Sequence, residues 1–260
     1  MIKLVIFDLD GVIYRGETLI KGADKTVNWL RSQSIKTAFL TNACSSSRKG
    51  RICKMINLGV PAKESEMFTT SYAVSHYILE KYPKSKRKVY YVGQKGVEEE
   101  LRLHGVPVVG AKKADLVVVG WDPDFNYKKM SDAYQAVARG AEFIATNTDA
   151  TFPIENGYLP GAGAMVASIE RASGKKPKIV GKPNTFILKM ILKRFNVKKS
   201  EVLMVGDRIE TDIVFGKKAG IQTALVLTGV SKKDDLKKLK KNEKPDYIFK
   251  SVAELPSIFH

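Results

Sequence analysis

Two aspartates, Asp8 and Asp10, follow an unbroken apolar run, Leu4-Val5-Ile6-Phe7, near the start of the chain. Residues i and i+2 of an extended chain project to the same side, so both carboxylates address one volume. Gly11 then allows a turn that a residue bearing a Cβ resists. Carboxylates crowded at a dry strand end repel each other unless a cation lies between them. An all-oxygen donor set selects a hard divalent ion, Mg²⁺ first. Taken alone, Asp-x-Asp is equally an ordinary turn or helix cap, so the reading turns on what other segments bring.

Three more apolar runs end in residues capable of chemistry. Residues 37–40 give way to Thr41, Asn42, Ala43, Cys44 and three serines. Hydroxyl and amide groups there can donate to an oxyanion, and Ser45, Ser46 and Ser47 are read as caps of a helix over 48–58. Ile179-Val180-Gly181 delivers Lys182, a compact positive charge, before Pro183 opens a helix with Leu188, Ile191, Leu192 and Phe195 on one face. The run 202–205 passes into Gly206-Asp207-Arg208, with Asp212 five residues beyond Asp207 and a helix from about Glu210 to Gly220. In a single parallel sheet all four ends face one edge, where open α/β sheets bind ligands.

Such a set suits phosphoryl transfer, which needs charge stabilisation around three equatorial oxygens and an in-line nucleophile. Asp8 is the candidate nucleophile, forming an aspartyl-phosphate. Asp10 would protonate the leaving alkoxide and then take a proton from the attacking water. Mg²⁺ held by Asp8, Asp207 and the main-chain carbonyl of Asp10 would offset the repulsion between two anions. Thr41, Asn42 and Lys182 would bind the phosphoryl oxygens. The histidines His76, His104 and His260 stand beside no motif, so a histidine-based mechanism has little support; the first two read as surface or packing residues.

The elements that must position these groups alternate between strand and helix periods, an α/β pattern. Residues 12–22 read as a loop or small hairpin, followed by a helix with Ala23, Val27 and Leu30 on one face and a later helix over 72–81. The basic stretch 82–88, with Pro83, marks a boundary. A second α/β unit then shows strands at 89–92, 106–109, 116–119 and 143–145, and helices at 97–103 and around Met130, Ala133, Tyr134 and Val137. Its last strand ends in Thr146-Asn147-Thr148-Asp149. A turn at Asn156-Gly157 and the loop Pro160-Gly161-Ala162-Gly163 follow; the loop reads as a turn rather than a phosphate cradle.

At 260 residues, 44% hydrophobic, the chain can bury two ordinary cores. No apolar run approaches the ~20 residues needed to span a bilayer. Cys44 and Cys53 lack metal-type spacing and form no disulfide framework, and the first strand starts too early for a signal peptide, so a cytoplasmic location is expected. The net charge of +17 favours anionic ligands. Its lysine-rich runs, 84–88 and 232–244, read as solvated helix faces without a nucleic-acid motif.

The ordered segments Asp8-Leu9-Asp10-Gly11-Val12, Thr41-Asn42, Gly181-Lys182-Pro183 and Gly206-Asp207-Arg208 with Thr211-Asp212 resemble the four motifs of the haloacid dehalogenase superfamily of phosphatases. The insertion between the second and third, with Thr146-Asn147-Thr148-Asp149, is similar to the type C2 cap of the p-nitrophenyl phosphatase or NagD-type branch. The resemblance implies a Rossmann-like core over 1–82 and 178–260 and a smaller α/β cap over 83–177. It also implies Mg²⁺-dependent hydrolysis of a small phosphomonoester, with Asp212 as a more remote or water-mediated metal partner. The cap loop 147–153, with Asn147 and Asp149, would face the leaving group and choose among substrates, and cap-mediated homodimers become an expectation beside a monomer. Relatives commonly carry a second asparagine where this chain has Ala43. Asp10 argues against a dehalogenase, since a departing halide needs no proton. A phosphomutase, or a basic nucleic-acid-associated or regulatory protein without turnover, is the other reading.

Overall fold

Leu4 and Ile6 project to one face of the first strand and Val5 and Phe7 to the other, and all four are fully buried. Such a strand needs cover on both sides. In the computed structural model, which describes residues 1–154 and 157–259, it lies at the centre of a six-stranded sheet.

The strands are β1 Leu4–Phe7, β2 Tyr14–Arg15, β3 Thr18–Leu19, β4 Lys36–Thr41, β5 Met67–Thr69, β6 Val89–Val92 and β7 Leu116–Val119. They continue as β8 Glu142–Ala145, β9 Thr151–Ile154, β10 Gly157–Pro160, β11 Lys178–Ile179, β12 Val202–Gly206, β13 Gln222–Val226 and β14 Tyr247–Phe249. The α-helices are α1 Ala23–Ser32, α2 Arg48–Asn57, α3 Thr70–Lys81, α4 Lys95–Leu103, α5 Tyr127–Ala138, α6 Ala162–Ser173, α7 Phe186–Phe195 and α8 Val214–Ala219.

The core sheet has the order β14-β13-β12-β1-β4-β5, and every pair in it is parallel. The chain builds outward from β1 through β4 and β5, then returns to the other side of β1 with β12. That reversal leaves a crevice beyond the carboxyl ends of β1 and β12. A second parallel sheet, β11-β8-β7-β6, carries the inserted unit, so the fold is a Rossmann-like core with a smaller α/β cap. Leu4, Ile6 and Leu40 of the core sheet and Val89, Leu116 and Ile144 of the second belong to one apolar cluster. Val5 and Phe7 bury against α1 on the far side; Val117, Phe143 and Val166 fill the outer face of the second sheet.

Several expectations need correction. Ile179 leads to Lys182 from a strand that pairs with β8, not with the core sheet, so the four chemical strand ends come from two sheets. The two-residue strand is too short for its partner to be legible in sequence. The expected strand at 106–109 is a single bridge between Val89 and Val108. Strand β5 was not expected; Met67, Phe68 and Thr69 are too few to show a period. The lysine runs form short 3₁₀ turns at Lys84–Lys86, Lys233–Lys238 and Lys241–Glu243 rather than helix faces. Residues 14–19 form the small hairpin that was one expectation for that stretch. Asn156 of the expected turn, and His260, lie outside the described residues.

Candidate active site

Asp8 leaves β1 with its amide donating to the Val205 carbonyl of β12 (2.8 Å), which aims its carboxylate into the crevice. Gly11 turns the chain at φ 84°, and a Cβ there would stand 2.5 Å from Asp207 Oδ2. The glycine is therefore required twice, by backbone conformation and by the approach of Asp207. Asp207 follows β12. Its Oδ2 accepts the Val230 amide (2.7 Å), while Thr228 donates to the Gly11 carbonyl (2.6 Å). The loop 228–231 after β13 thus braces both acidic loops. The sequence reading missed it, although Thr228-Gly229 after an apolar run was the same signal.

Asp212 was expected inside an α-helix starting near Glu210. Instead Ile209–Ile213 form a π-helical turn before α8, a local widening often found at functional sites. The Asp212 side chain folds back over Gly206, where a Cβ would overlap it. Its Oδ2 accepts the Arg208 amide (3.1 Å).

Lys182 reaches the crevice from the other sheet, across Gly181, where a Cβ would stand 2.6 Å from Asn42 Oδ1. Its Nζ donates to Asp8 Oδ1 and Asp212 Oδ1, each at 2.6 Å, and to the Leu40 carbonyl at 3.3 Å. Burial alone would lower the ammonium's pKa; Asp212 and Asp8 override it and hold it above the ordinary lysine range. Burial pushes Asp8 well up, against the pull of Lys182 and with the repulsion of Asp212 and Asp207. Asp207 is pushed to about 7 by burial and by Asp212. One ammonium among three carboxylates leaves the cluster short of positive charge. Asp8, Asp207 and Asp212 each offer an oxygen within 4.8 Å of the others, and this all-oxygen, electron-rich set fits a hard divalent cation. Asp10 stands at the rim, and its carboxyl has no hydrogen-bond partner among the described residues. Burial raises its pKa and Arg51 opposes the rise.

The side chain of Asn42 is committed to neither sheet alone. Its Oδ1 accepts the Lys182 amide (2.9 Å) and the Thr70 hydroxyl (3.3 Å). Its Nδ2 donates to the Lys182 carbonyl (3.0 Å) and to Asp149 (3.2 Å to Oδ1). Asn147 Nδ2 in turn donates to the Asn42 carbonyl (2.9 Å). Asn147 and Asp149 thus clamp the loop after β8 to the loop after β4. Thr41, whose hydroxyl accepts the Ala43 amide (3.0 Å), faces the same cleft. All nine residues singled out from sequence, Asp8, Asp10, Thr41, Asn42, Asn147, Asp149, Lys182, Asp207 and Asp212, line one cavity of about 60 Å³.

Of its remaining wall, Phe152 falls in the loop 147–153 expected to face the leaving group, while Trp121 and Arg208 were not anticipated. Trp121, after β7, and Phe152, on β9, stack with ring centroids 4.2 Å apart and border the cavity with Arg208. Trp121 and Phe152 stand in separate segments, and no local periodicity links them, so only the tertiary structure assembles this wall. A second correction concerns the serines. Ser47 occupies the N-cap of α2 without a side-chain cap bond, and Ser45 accepts from Arg51 (2.7 Å).

Comparison with known proteins places this geometry. The haloacid dehalogenase-like hydrolase family matches residues 5–107, and a HAD-hydrolase-like family matches 179–255. Phosphoglycolate phosphatase 2 of Arabidopsis thaliana is 39% identical, over 96% of this chain and 91% of its own. The p-nitrophenyl phosphatase of Archaeoglobus fulgidus superposes with a TM-score of 0.91 at 34% identity, covering 98% of each chain. The glycerol phosphate phosphatase Rv1692 of Mycobacterium tuberculosis, solved in complex with magnesium, superposes at 0.88 with 29% identity, covering 97% of this chain and 76% of that one. With nucleophile-type, lysine and acidic motifs converging as they do, the chain belongs to the haloacid dehalogenase-like hydrolases, in their p-nitrophenyl phosphatase and NagD-type branch, and is a phosphoric monoester hydrolase.

Proposed function

We propose that this hydrolase is a Mg²⁺-dependent phosphatase of small phosphomonoesters that works through an aspartyl-phosphate on Asp8. The observation that carries the reading is Lys182 Nζ held 2.6 Å from both Asp8 and Asp212, with Asp207 beside them. A carboxylate stripped of water and aimed into a cleft is a nucleophile once its charge and that of the phosphate are offset. Asp8, Asp207, the Asp10 main-chain carbonyl and, more remotely, Asp212 would hold Mg²⁺, which when bound supplies that charge compensation.

An Asp8 oxygen attacks phosphorus, the bond to the leaving oxygen breaks, and Asp10 gives that oxygen its proton. Asp10 then takes a proton from water as the water oxygen attacks the aspartyl-phosphate, releasing phosphate and restoring Asp8. Lys182 and Thr41 hold the phosphoryl oxygens. Because the Asn42 side chain is spent on Lys182, Thr70 and Asp149, its contribution to phosphate is to fix these neighbours. Residues 83–177, extended by β11, act as the cap over a core made of 1–82 and the chain after β11, with Asn147 and Asp149 facing the leaving group.

The small cavity and its Trp121–Phe152 wall favour compact substrates, whether a sugar phosphate, a nucleotide or a phosphoglycolate-like acid; the plant relative's name points to the last. A cytoplasmic enzyme, monomeric or dimeric, completes the proposal. No helix among the described residues is long and apolar enough to cross a membrane. The test is turnover of p-nitrophenyl phosphate and a panel of phosphorylated metabolites with Mg²⁺. Asp8→Asn is expected to cut kcat by about 10³-fold or more with an unchanged circular dichroism spectrum; wild-type turnover in that variant sinks the assignment.

A further inference from the structure

The loop 41–47 presents Thr41 and Ala43 to the cavity, yet nothing in its own sequence caps the helix that ends it. The missing cap comes from the inserted unit. Glu100, on α4, is 2% exposed, and its Oε1 accepts both the Arg48 amide at the start of α2 (3.2 Å) and the Arg48 guanidinium (Nε, 3.1 Å). One turn earlier on the same helix, Gly96 lies flat on the loop. A Cβ there would stand 2.5 Å from the Ser46 carbonyl carbon and 2.8 Å from the Cys44 oxygen. Residues 96 and 100 share a helix face, so α4 is moulded against this loop at two points.

Arg48 is fixed further by the Tyr72 ring, 3.9 Å from its guanidinium carbon, and by Glu64 (3.0 Å). Glu100 Oε2 is buried without a hydrogen-bond partner; His104 Nδ1 lies 3.7 Å from it, and that nitrogen already meets the Glu100 carbonyl (2.8 Å). A carboxylate at a helix N-terminus is well placed, whereas a buried one separated from its cation is costly. Helix α4 therefore leaves the loop only by breaking the Glu100–Arg48 pair and uncapping α2.

We propose that Glu100 is a positioning residue for the phosphate-facing loop, so that the inserted unit sets phosphate affinity from a point outside the cavity. This rests on the phosphate-binding reading of Thr41 given above. Glu100 touches neither substrate nor the carboxylate cluster. Its removal acts alike on substrate and on bound phosphate, because both are held by the same loop.

The experiment measures KM and kcat for p-nitrophenyl phosphate, and Kd for inorganic phosphate by calorimetry, in Glu100→Ala, Glu100→Gln and Gly96→Ala. Glu100→Ala is expected to raise KM and Kd together by about tenfold, with kcat changed less than about threefold. Glu100→Gln keeps an oxygen for the Arg48 amide and recovers a large part of both. Gly96→Ala, which displaces α4 without changing charge, reproduces the rise and stands in should Glu100→Ala not fold. Unchanged KM and Kd in Gly96→Ala, and in Glu100→Ala where it folds, with only a lowered Tm, overturns the proposal. A wild-type protein that binds phosphate but hydrolyses nothing counts against the proposed hydrolysis instead, and the Kd series still decides the role of Glu100.

Discussion

The two parallel sheets aim their carboxyl ends at one cleft and supply it with different things. From the core sheet come Asp8, Thr41 and Asp207; from the inserted sheet come Trp121, Asn147, Asp149 and Lys182. The core order reverses direction between β1 and β12, whereas β6, β7, β8 and β11 follow one another in sequence across the inserted sheet. Only a reversal opens a crevice between adjacent strand ends. Accordingly the core carboxylates stand together with too little compensation, while Asn147 and Asp149 find partners on Asn42. A polar strand end is thus common to both sheets. What separates reactive groups from docking groups is whether the fold leaves them short of partners.

Lys182 is the exception, a charge from the inserted sheet that serves the core cluster, and removing it gives the sharpest test. Lys182→Met leaves Asp8 and Asp212 buried without their cation. A loss of about 3–5 kcal/mol of stability is expected in urea unfolding, together with loss of turnover. Lys182→Arg is expected to fail as a rescue, since a planar guanidinium cannot replace a compact ammonium between two carboxylates. Near-normal stability in Lys182→Met would place this lysine with the docking groups.

The charge deficit of the core predicts a pH dependence of stability centred on Asp207. Asp207 moves from 3.8 to about 7 on folding, so between those values the folded state binds more protons than the unfolded one. Stability contributed by this group is then complete below pH 3.8 and lost as pH rises through about 7. Thermal melts of metal-stripped protein are expected to fall over that window, and Mg²⁺ is expected to restore Tm near pH 7. A flat profile without metal would mean that the carboxylates are already compensated.

The aromatic wall is the smallest expected effect. Phe152→Ala is predicted to lower kcat/KM for p-nitrophenyl phosphate by about tenfold and that for glycerol phosphate by less than about threefold. Equal losses on both substrates would move the wall from leaving-group contact to cap packing.

Much of this was written in local sequence. An apolar run with β-branched residues that stops at an acid, a lysine or a hydroxyl predicts a buried strand and its chemical end, because strand burial and strand termination are local properties. Asp8, Asp10, Thr41, Lys182, Asp207 and Asp212 were legible on those grounds. Sequence did not show that Lys182 arrives from the second sheet, since pairing is decided by partners far away in the chain. Nor did it show that Asn42 is a junction, that Trp121 meets Phe152, or that α2 is capped by Glu100 rather than by its serines. Each of these depends on two segments 30 to 140 residues apart coming within hydrogen-bond or van der Waals reach. Only packing supplies that proximity, because a side chain's type fixes what it can bond to while the tertiary fold alone fixes which partner is there.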